Sequence, residues 1–196
     1  MSERARFILA TLCGLVLAAG VHIVVVLTAP RFAEADAFSR LEPTIALDQA
    51  QLISAPGATG STWLPQPDPA IAVAACAFNL NDGPVRVSAR TSGFFESLSF
   101  HAKGGTVFYA VTDRAAVRGE LDLVVLTRRQ LDEALAEEDE DAPSRDVRII
   151  APRREGFVII RVAAPFPSLR AQAEAAAKSV SCILDGAQDE TEPGQG

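Results

Sequence analysis

The sequence is poor in the side chains from which metal centres and catalytic sites are most often built. It has two histidines, three cysteines, one tyrosine and one tryptophan in 196 residues. No C-x-x-C or His-x-x-x-His spacing occurs, so we predict neither a bound metal nor a cofactor. A glycine-rich phosphate loop, a lipobox and a nucleophile-elbow serine are also missing, and we therefore predict no enzymatic activity.

Basic residues are in short supply. The chain has 18 Lys and Arg against 25 Asp and Glu, a formal net charge of −7. Binding to nucleic acid needs clustered Lys and Arg to neutralise phosphates, so this class of partner is excluded.

What the sequence does have is a long apolar run near its start. Residues 7–29 contain no charged side chain, and a helix of that length covers about 34 Å, enough to cross a bilayer. A cleaved secretion signal is the alternative, with "AEA" at 33–35 as its cleavage tripeptide. We favour a permanent anchor because the apolar run is longer than the 7 to 15 residues of a signal and continues past Ala18, Ala19 and Gly20.

Flanking charge predicts the orientation of this anchor. Arg4 and Arg6 precede the run, and Lys and Arg resist translocation. We therefore expect the N-terminus in the cytoplasm of a bacterium, the helix in the inner membrane and the remaining chain in the periplasm.

One side of the anchor could pack against another membrane helix. Ala10, Gly14, Ala18 and His22 recur every four residues and share a stripe, where small side chains allow close approach and a polar one avoids lipid. The alternative is that Ala and Gly are simply common in membrane helices and that His22 reaches the headgroup region.

The cysteines suggest one covalent link. Cys13 lies in the apolar run, which leaves Cys76 and Cys182 in the part assigned to the oxidising periplasm. We predict a disulfide between them, with two unpaired buried thiols as the alternative.

The chain after residue 30 alternates strand and helix patterns. A short helix is expected up to Pro43, and Asp68 and Pro69 are typical of the start of a helix, here over 69–77 and carrying Cys76. A second amphipathic helix starts at residue 128, and an Ala-rich helix extends over 167–184 with Cys182 near its end. The predicted strands are 84–89, 94–101, 106–112, 121–127, 146–152 and 156–165.

Two groups of polar residues are candidate functional sites. Tyr109, Asp113 and Arg114 surround a strand end, where they could bind a polar ligand or only fix a turn. His101 follows Ser97 and Ser99 on an alternating strand, and we interpret it as an ordinary exposed histidine.

Residues 132–141 include seven Asp or Glu, but they lack the glycine and ligand spacing of a calcium loop and indicate a solvated charge run. Trp63, in a loop rich in Pro, Gly, Ser and Thr, is expected to pin that loop to the core.

Three stretches carry a family resemblance: "CAFNLNDGPVRVSA", "GFFESLSFHAKGGTVFYAVTDR" and "GELDLVVLT". With them the chain resembles short alphaproteobacterial membrane-anchored proteins of the domain of unknown function 1254 family. That family is often encoded beside a relative assigned to domain of unknown function 1214. The resemblance therefore implies a sister membrane protein of that type as a partner, and it implies no chemistry.

Together these observations predict an α+β protein, with one N-terminal transmembrane helix and a mainly antiparallel β-sheet domain flanked by helices. We divide the chain into a cytoplasmic N-terminus (1–6), the transmembrane helix (7–29), a linker and loop (30–67), a periplasmic domain (68–184) and a disordered acidic tail (185–196). The leading hypothesis is that the domain binds a partner protein or an envelope component. The alternative is a small-ligand binder or enzyme that uses Tyr109, Asp113 and Arg114.

Overall fold

The computed structural model describes residues 2–32, 36–54, 64, 66–137 and 146–185. Two compact units are distinct, one ending at Ala35 and the other beginning at Asp36. Trp63, residues 138–141 of the acidic run and the tail beyond Asp185 lie outside the described residues, so the predictions made for them are not tested.

The first unit is one helix, α1, which spans Glu3–Phe32. Residues 3–29 are long and apolar enough to cross a membrane by length and composition. The large apolar side chains of this stretch are exposed, as expected for a helix whose natural solvent is lipid. The structure thus confirms the predicted apolar helix, which is compatible with a single-pass membrane anchor.

The second unit contains nine strands and three helices within the described residues. The helices are α2 (Ala37–Leu41), α3 (Arg128–Glu137) and α4 (Arg170–Lys178). The strands are β1 (Gln51–Leu52), β2 (Ile71–Asn79), β3 (Val85–Arg90), β4 (Glu96–Ala102), β5 (Val107–Thr112), β6 (Glu120–Leu126), β7 (Val147–Ile150), β8 (Glu155–Ala163) and β9 (Ser181–Leu184).

These strands form two sheets. The larger sheet has the order β1-β2-β8-β4-β5 and is antiparallel throughout, while the smaller has the order β7-β6-β3-β9 with a parallel pair only between β6 and β7. The predicted α+β class with a mainly antiparallel sheet is therefore confirmed.

The main core lies between the sheets. Alternate residues of each strand point into it: Leu98 and Phe100 from the larger sheet meet Val87, Leu123 and Val125 from the smaller one, all at most 1% exposed. Buried and partly exposed residues alternate most regularly along β3 and β4.

A second, smaller core covers part of the outer face of the larger sheet. Phe38, Leu41 and Ile53, from the segment that the sequence assigned to the linker, pack against Val73 and Phe157. The short helix predicted before Pro43 is present as α2, with Asp36 accepting a 2.8 Å hydrogen bond from the Ser39 amide as its N-cap.

The predicted helix over 69–77 is wrong. Asp68 caps only a turn, through a 2.8 Å bond to the Ala70 amide, and the run from Ile71 enters β2. This strand lies between β1 and β8 and is buried on both faces, so its apolar residues show no alternation from which a strand could be recognised.

The Ala-rich helix is shorter than predicted. It ends at Lys178, and the residues around Cys182 pair with β3 as β9. Pairing with Val85–Ser88, and a hydrogen bond that the Cys182 amide donates to the Asp48 carbonyl, satisfy backbone groups that a continued helix would have satisfied internally.

Arg170 fastens α4 to the start of β2. Its Nη1 donates to the carbonyls of Asp68, Pro69 and Ile71 at 2.8 to 3.1 Å, and its Nη2 donates to Ser54 Oγ at 3.1 Å. One guanidinium thus satisfies backbone carbonyls at the chain reversal that precedes β2.

Candidate functional site

The predicted disulfide between Cys76 and Cys182 is present, with Cα atoms 6.7 Å apart. It does not join two helices, as the sequence analysis implied, because both cysteines lie on strands: Cys76 on β2 of the larger sheet and Cys182 on β9 of the smaller. The bond therefore crosses the core between the sheets. Cys13 is a free, exposed thiol on α1.

The residues of the proposed membrane stripe all lie on α1. Ala10, Gly14, Ala18 and His22 are exposed, and a Cβ added at Gly14 would meet no atom within 4 Å. The described structure thus leaves this side of the helix open.

The residues of the predicted cluster, Tyr109, Asp113 and Arg114, lie on β5 and on the 3₁₀ turn that follows it. Tyr109 lies on β5, half-buried, with its ring centroid 6.0 Å from that of Phe100. Asp113 begins the 3₁₀ turn after β5 and is half-buried, whereas Arg114 is exposed and has no ion pair with a described residue.

Tyr109 lines a cavity of about 200 Å³. It lies where edge strand β5 of the larger sheet faces β6 of the smaller, and its apolar walls come from Tyr109, Val111, Leu121, Leu123 and Val147. Arg118, Glu120 and Asp122 also contribute to its lining. At roughly 30 Å³ per water this space holds about six waters, which suits a small molecule and is too little for a drug-sized ligand.

A tight turn lies at one side of this cavity. Arg118 has φ +57° and Gly119 has φ +83°, and the flanking Val117 and Glu120 exchange backbone hydrogen bonds in both directions. A two-residue hairpin loop of this kind requires positive φ at both central residues, so the turn itself accounts for the conformation of Arg118.

Glu96 is a buried carboxyl that the sequence analysis missed. It is 1% exposed, on the core-facing side of β4 with Leu98 and Phe100, and its Oε1 has no hydrogen-bond partner in the described part of the chain. Burial, and secondly the nearby charge of Asp113, raise the pKa of Glu96 to about 7. The signal was available in the sequence, because Glu96 occupies the same alternating positions as the apolar residues of "ESLSF".

The opposite side of β4 carries a chain of hydrogen bonds. Arg161 Nη1, on β8, donates to Ser99 Oγ at 3.2 Å, and Ser99 Oγ is 3.0 Å from His101 Nε2. His101 Nδ1 lies 3.3 Å from the Gly105 carbonyl oxygen, which can only accept a hydrogen bond, and Ser99 Oγ also lies 3.4 Å from the Ile159 carbonyl oxygen. The ring of His101 stacks on Phe157 at 4.9 Å. His101 is therefore more constrained than the ordinary exposed histidine that the sequence suggested.

This serine and histidine do not make a recognisable catalytic centre. Ser99 lies in the middle of a strand, without the strained strand-to-helix turn of a nucleophile elbow. Among the described residues there is no group of three or more His, Cys, Asp and Glu that could hold a metal ion. The side chains described on this face of β4 and β8 provide hydrogen-bonding groups and the positive charge of Arg161.

Comparison with known proteins supports the fold and nothing beyond it. No family model matches the chain, and no curated protein matches it. A crystal structure of a Vibrio parahaemolyticus protein has 12% sequence identity and a TM-score of 0.52, over 79% of this chain and 34% of that one. A crystal structure of an uncharacterised Burkholderia cenocepacia protein has 12% identity and a TM-score of 0.44, over 74% of this chain and 36% of that one. This chain thus spans about one third of the length of both proteins, and its likeness to the Vibrio protein is one of fold.

Proposed function

We propose that this chain is a single-pass bacterial inner-membrane protein whose disulfide-linked domain stands in the periplasm and binds a partner protein or an envelope component. The observation that carries the proposal is the combination of α1 with the Cys76–Cys182 bond. Structural disulfides persist in oxidising compartments, and an uncleaved apolar helix preceded by Arg4 and Arg6 directs the following chain across the membrane.

The topology is tested with fusions at residue 185. Alkaline phosphatase fused there should be active, because it needs the oxidising periplasm to fold, whereas a fluorescent protein that matures only in the cytoplasm should stay dark. The chain should remain in membranes after alkaline carbonate washing. An inactive phosphatase fusion would indicate the opposite orientation, with the domain in the cytoplasm. A mature protein that begins at Asp36 would show that α1 is a cleaved signal.

For the partner we propose a sister membrane protein of the domain of unknown function 1214 type, on the strength of the resemblance described above. Helix contacts through Ala10, Gly14, Ala18 and His22 would supply part of this association, because close backbone approach favours packing in lipid.

Replacing Gly14 with Ile should therefore weaken association in the membrane, by roughly tenfold if one close helix contact is lost. Crosslinking in intact membranes, with identification of the captured chain, measures this. Gly20→Ile is the matched control, since Gly20 is on the same helix, off the stripe and equally open. Equal capture by both variants and the parent would contradict the helix-packing role.

A second candidate function, a small-ligand binder, is favoured by the cavity beside Tyr109. Tyr109→Ala would remove one wall of this cavity, whereas Asp113→Asn lies outside its lining. Loss of function in the first variant alone would favour a cavity ligand. Loss of function in Gly14→Ile alone would favour the membrane partner.

A further inference from the structure

The two sheets are joined by backbone hydrogen bonds along one side only. Residues 48–50, which lead into β1 of the larger sheet, bond to the residues around β9 of the smaller one. The Ala50 amide donates to the Val180 carbonyl at 2.9 Å, and the Cys182 amide donates to the Asp48 carbonyl at 3.0 Å. On the opposite side β5 ends the larger sheet, and within the described residues no strand continues from it to the smaller sheet. The cavity beside Tyr109 lies on this open side.

Both strands that border the opening have backbone groups without a neighbouring strand. Residues 107–112 of β5 pair with β4 and make no other backbone hydrogen bond to a described residue. An antiparallel edge strand leaves the N–H and C=O groups of alternate residues free. On β6, pairing with β7 begins at Leu123, so Leu121 and Asp122 have a described strand, β3, on one side only.

Strand β5 lacks most of the features that usually protect a free edge. Its sequence, VFYAVT, contains no charged residue and no proline. A bulge at Phe108 interrupts the pairing with β4, but residues 109–112 keep a regular register. Free edges are normally protected by charged residues, prolines or bulges, because an unprotected edge pairs readily with another chain. The regular, uncharged part of β5 is therefore suited to receive a further strand.

The cavity next to this edge has the size and the walls for one apolar side chain. Tyr109 and Val111 line it from β5, and Leu121 and Leu123 line it from β6. Asp122 also contributes to the lining, but its charge is neutralised by Arg86 at 2.6 Å. A volume of about six waters accommodates a side chain of roughly four to seven carbon atoms, such as that of leucine or phenylalanine.

We propose that β5 is the docking edge for an extended, uncharged segment of the partner protein. This segment pairs with β5 as a further strand of the larger sheet and places one leucine-sized or phenylalanine-sized side chain in the cavity. The free edge specifies a peptide, because a lipid or a metabolite has no row of N–H and C=O groups at strand spacing. The absence of charge on β5 is matched by a segment without charge. This inference rests on the proposed binding of a partner protein and names the surface and the chemistry of that contact.

The probe for this edge is a phage-displayed library of random decapeptides, selected against the full chain in nonionic detergent micelles. Uncharged sequences rich in β-branched and aromatic residues should be enriched, and a synthetic peptide of the enriched sequence should bind. N-methylation of its backbone should weaken binding about tenfold or more at alternate positions and little at the positions between, because only every second N–H points to β5. A loss without this alternation would overturn strand addition.

Val147→Trp should fill the cavity and weaken binding of the peptide about tenfold or more. Ile150→Trp is the matched control, because Ile150 is on the same strand, is 40% exposed against 46% for Val147, and lies outside the lining. Both variants should keep the parent melting temperature. If Val147→Trp does not, Val117→Trp serves instead, since Val117 lines the cavity and is 70% exposed. Equal binding by the parent and the cavity variants would overturn the proposal.

Other occupants give different results. N-acetyl-leucine amide that binds as tightly as the peptide would assign the cavity to a small ligand, and a dimer of the parent chain that excludes the peptide would assign the edge to a second copy. Either result overturns the inference. Failure of every peptide to bind, with a partner still captured by crosslinking in membranes, would overturn this inference alone. An inactive phosphatase fusion would contradict the proposed topology and leave the peptide result unaffected.

Discussion

Replacing Cys76 and Cys182 together with alanine is expected to lower the free energy of unfolding by about 4 to 5 kcal/mol. The bond closes a loop with a sequence separation of 106, and without it the unfolded chain regains the entropy of that loop. A loss of this size is a large part of the total stability of a domain and should reduce the melting temperature by roughly 10 to 15 °C.

The structure also predicts which strand is destabilised most when the disulfide is removed. Strand β9 is only four residues long and lies at the edge of the smaller sheet, with β3 on one side and a short bridge to residues 48–50 on the other, and the disulfide joins it covalently to β2 of the larger sheet. Amide hydrogen exchange at residues 181–184 should therefore accelerate more than at β8, in the middle of the larger sheet.

Denaturant unfolding of the full chain in detergent, with and without reductant, measures the effect. The matched control is Cys13→Ala, which removes the free thiol of α1 and should leave the folded domain unaffected. Equal stability of the parent and the double variant would refute the structural role. Labelling of Cys76 and Cys182 by a thiol reagent in cells, without reductant, would show that the bond does not form there.

Glu96→Gln is expected to stabilise the protein by about 3 kcal/mol at pH 8 and to have little effect at pH 4.5. Burial and the charge of Asp113 raise the pKa of Glu96 from 4.5 to about 7 in the folded protein. The folded state therefore holds this proton more tightly than the unfolded chain does. The resulting stability is complete below the unfolded pKa and is lost as the pH rises through 7.

The size follows from about 1.4 kcal/mol for each pH unit between the two pKa values. Glutamine keeps the shape of the protonated carboxyl and cannot ionise. The variant therefore does not lose folding stability as the pH rises through 7. Asp113→Asn should give a smaller change in the same direction, because burial is the larger cause of the raised pKa.

Thermal and denaturant unfolding from pH 4.5 to 8 checks this prediction. Glu120→Gln is the control, because Glu120 is exposed and its variant should follow the parent profile. The idea fails if the parent and Glu96→Gln curves remain parallel over the whole range.

Much of the architecture was within reach of the sequence. The uncharged length of residues 7–29 predicted the apolar helix, because the number of residues sets the length of a helix. Runs rich in aromatic and β-branched residues predicted β3 to β6. Only two cysteines lie outside the apolar helix, so only one disulfide pairing was possible in the folded domain.

The remaining features depend on contacts that are distant in the sequence. β2 was not recognised as a strand because its apolar run is buried on both faces and shows no alternation of apolar and polar residues. β9 was not recognised because it directly follows an Ala-rich helical pattern that continues through it. Their state is decided by the partners that satisfy their backbone groups. These are β1 and β8 for β2, and β3 together with residues 48–50 for β9.

The sequence alone determined what local physics can specify: an apolar helix of membrane length, the alternation of the strands, an acidic character and a single disulfide pairing. Only the tertiary structure decided that the disulfide links two sheets, that Glu96 is buried opposite Asp113, and that Arg161 lies beside Ser99, 62 residues away. These neighbours are set by the order and register of the strands. Strand order and register depend in turn on the packing of the whole core, which no short stretch of sequence specifies.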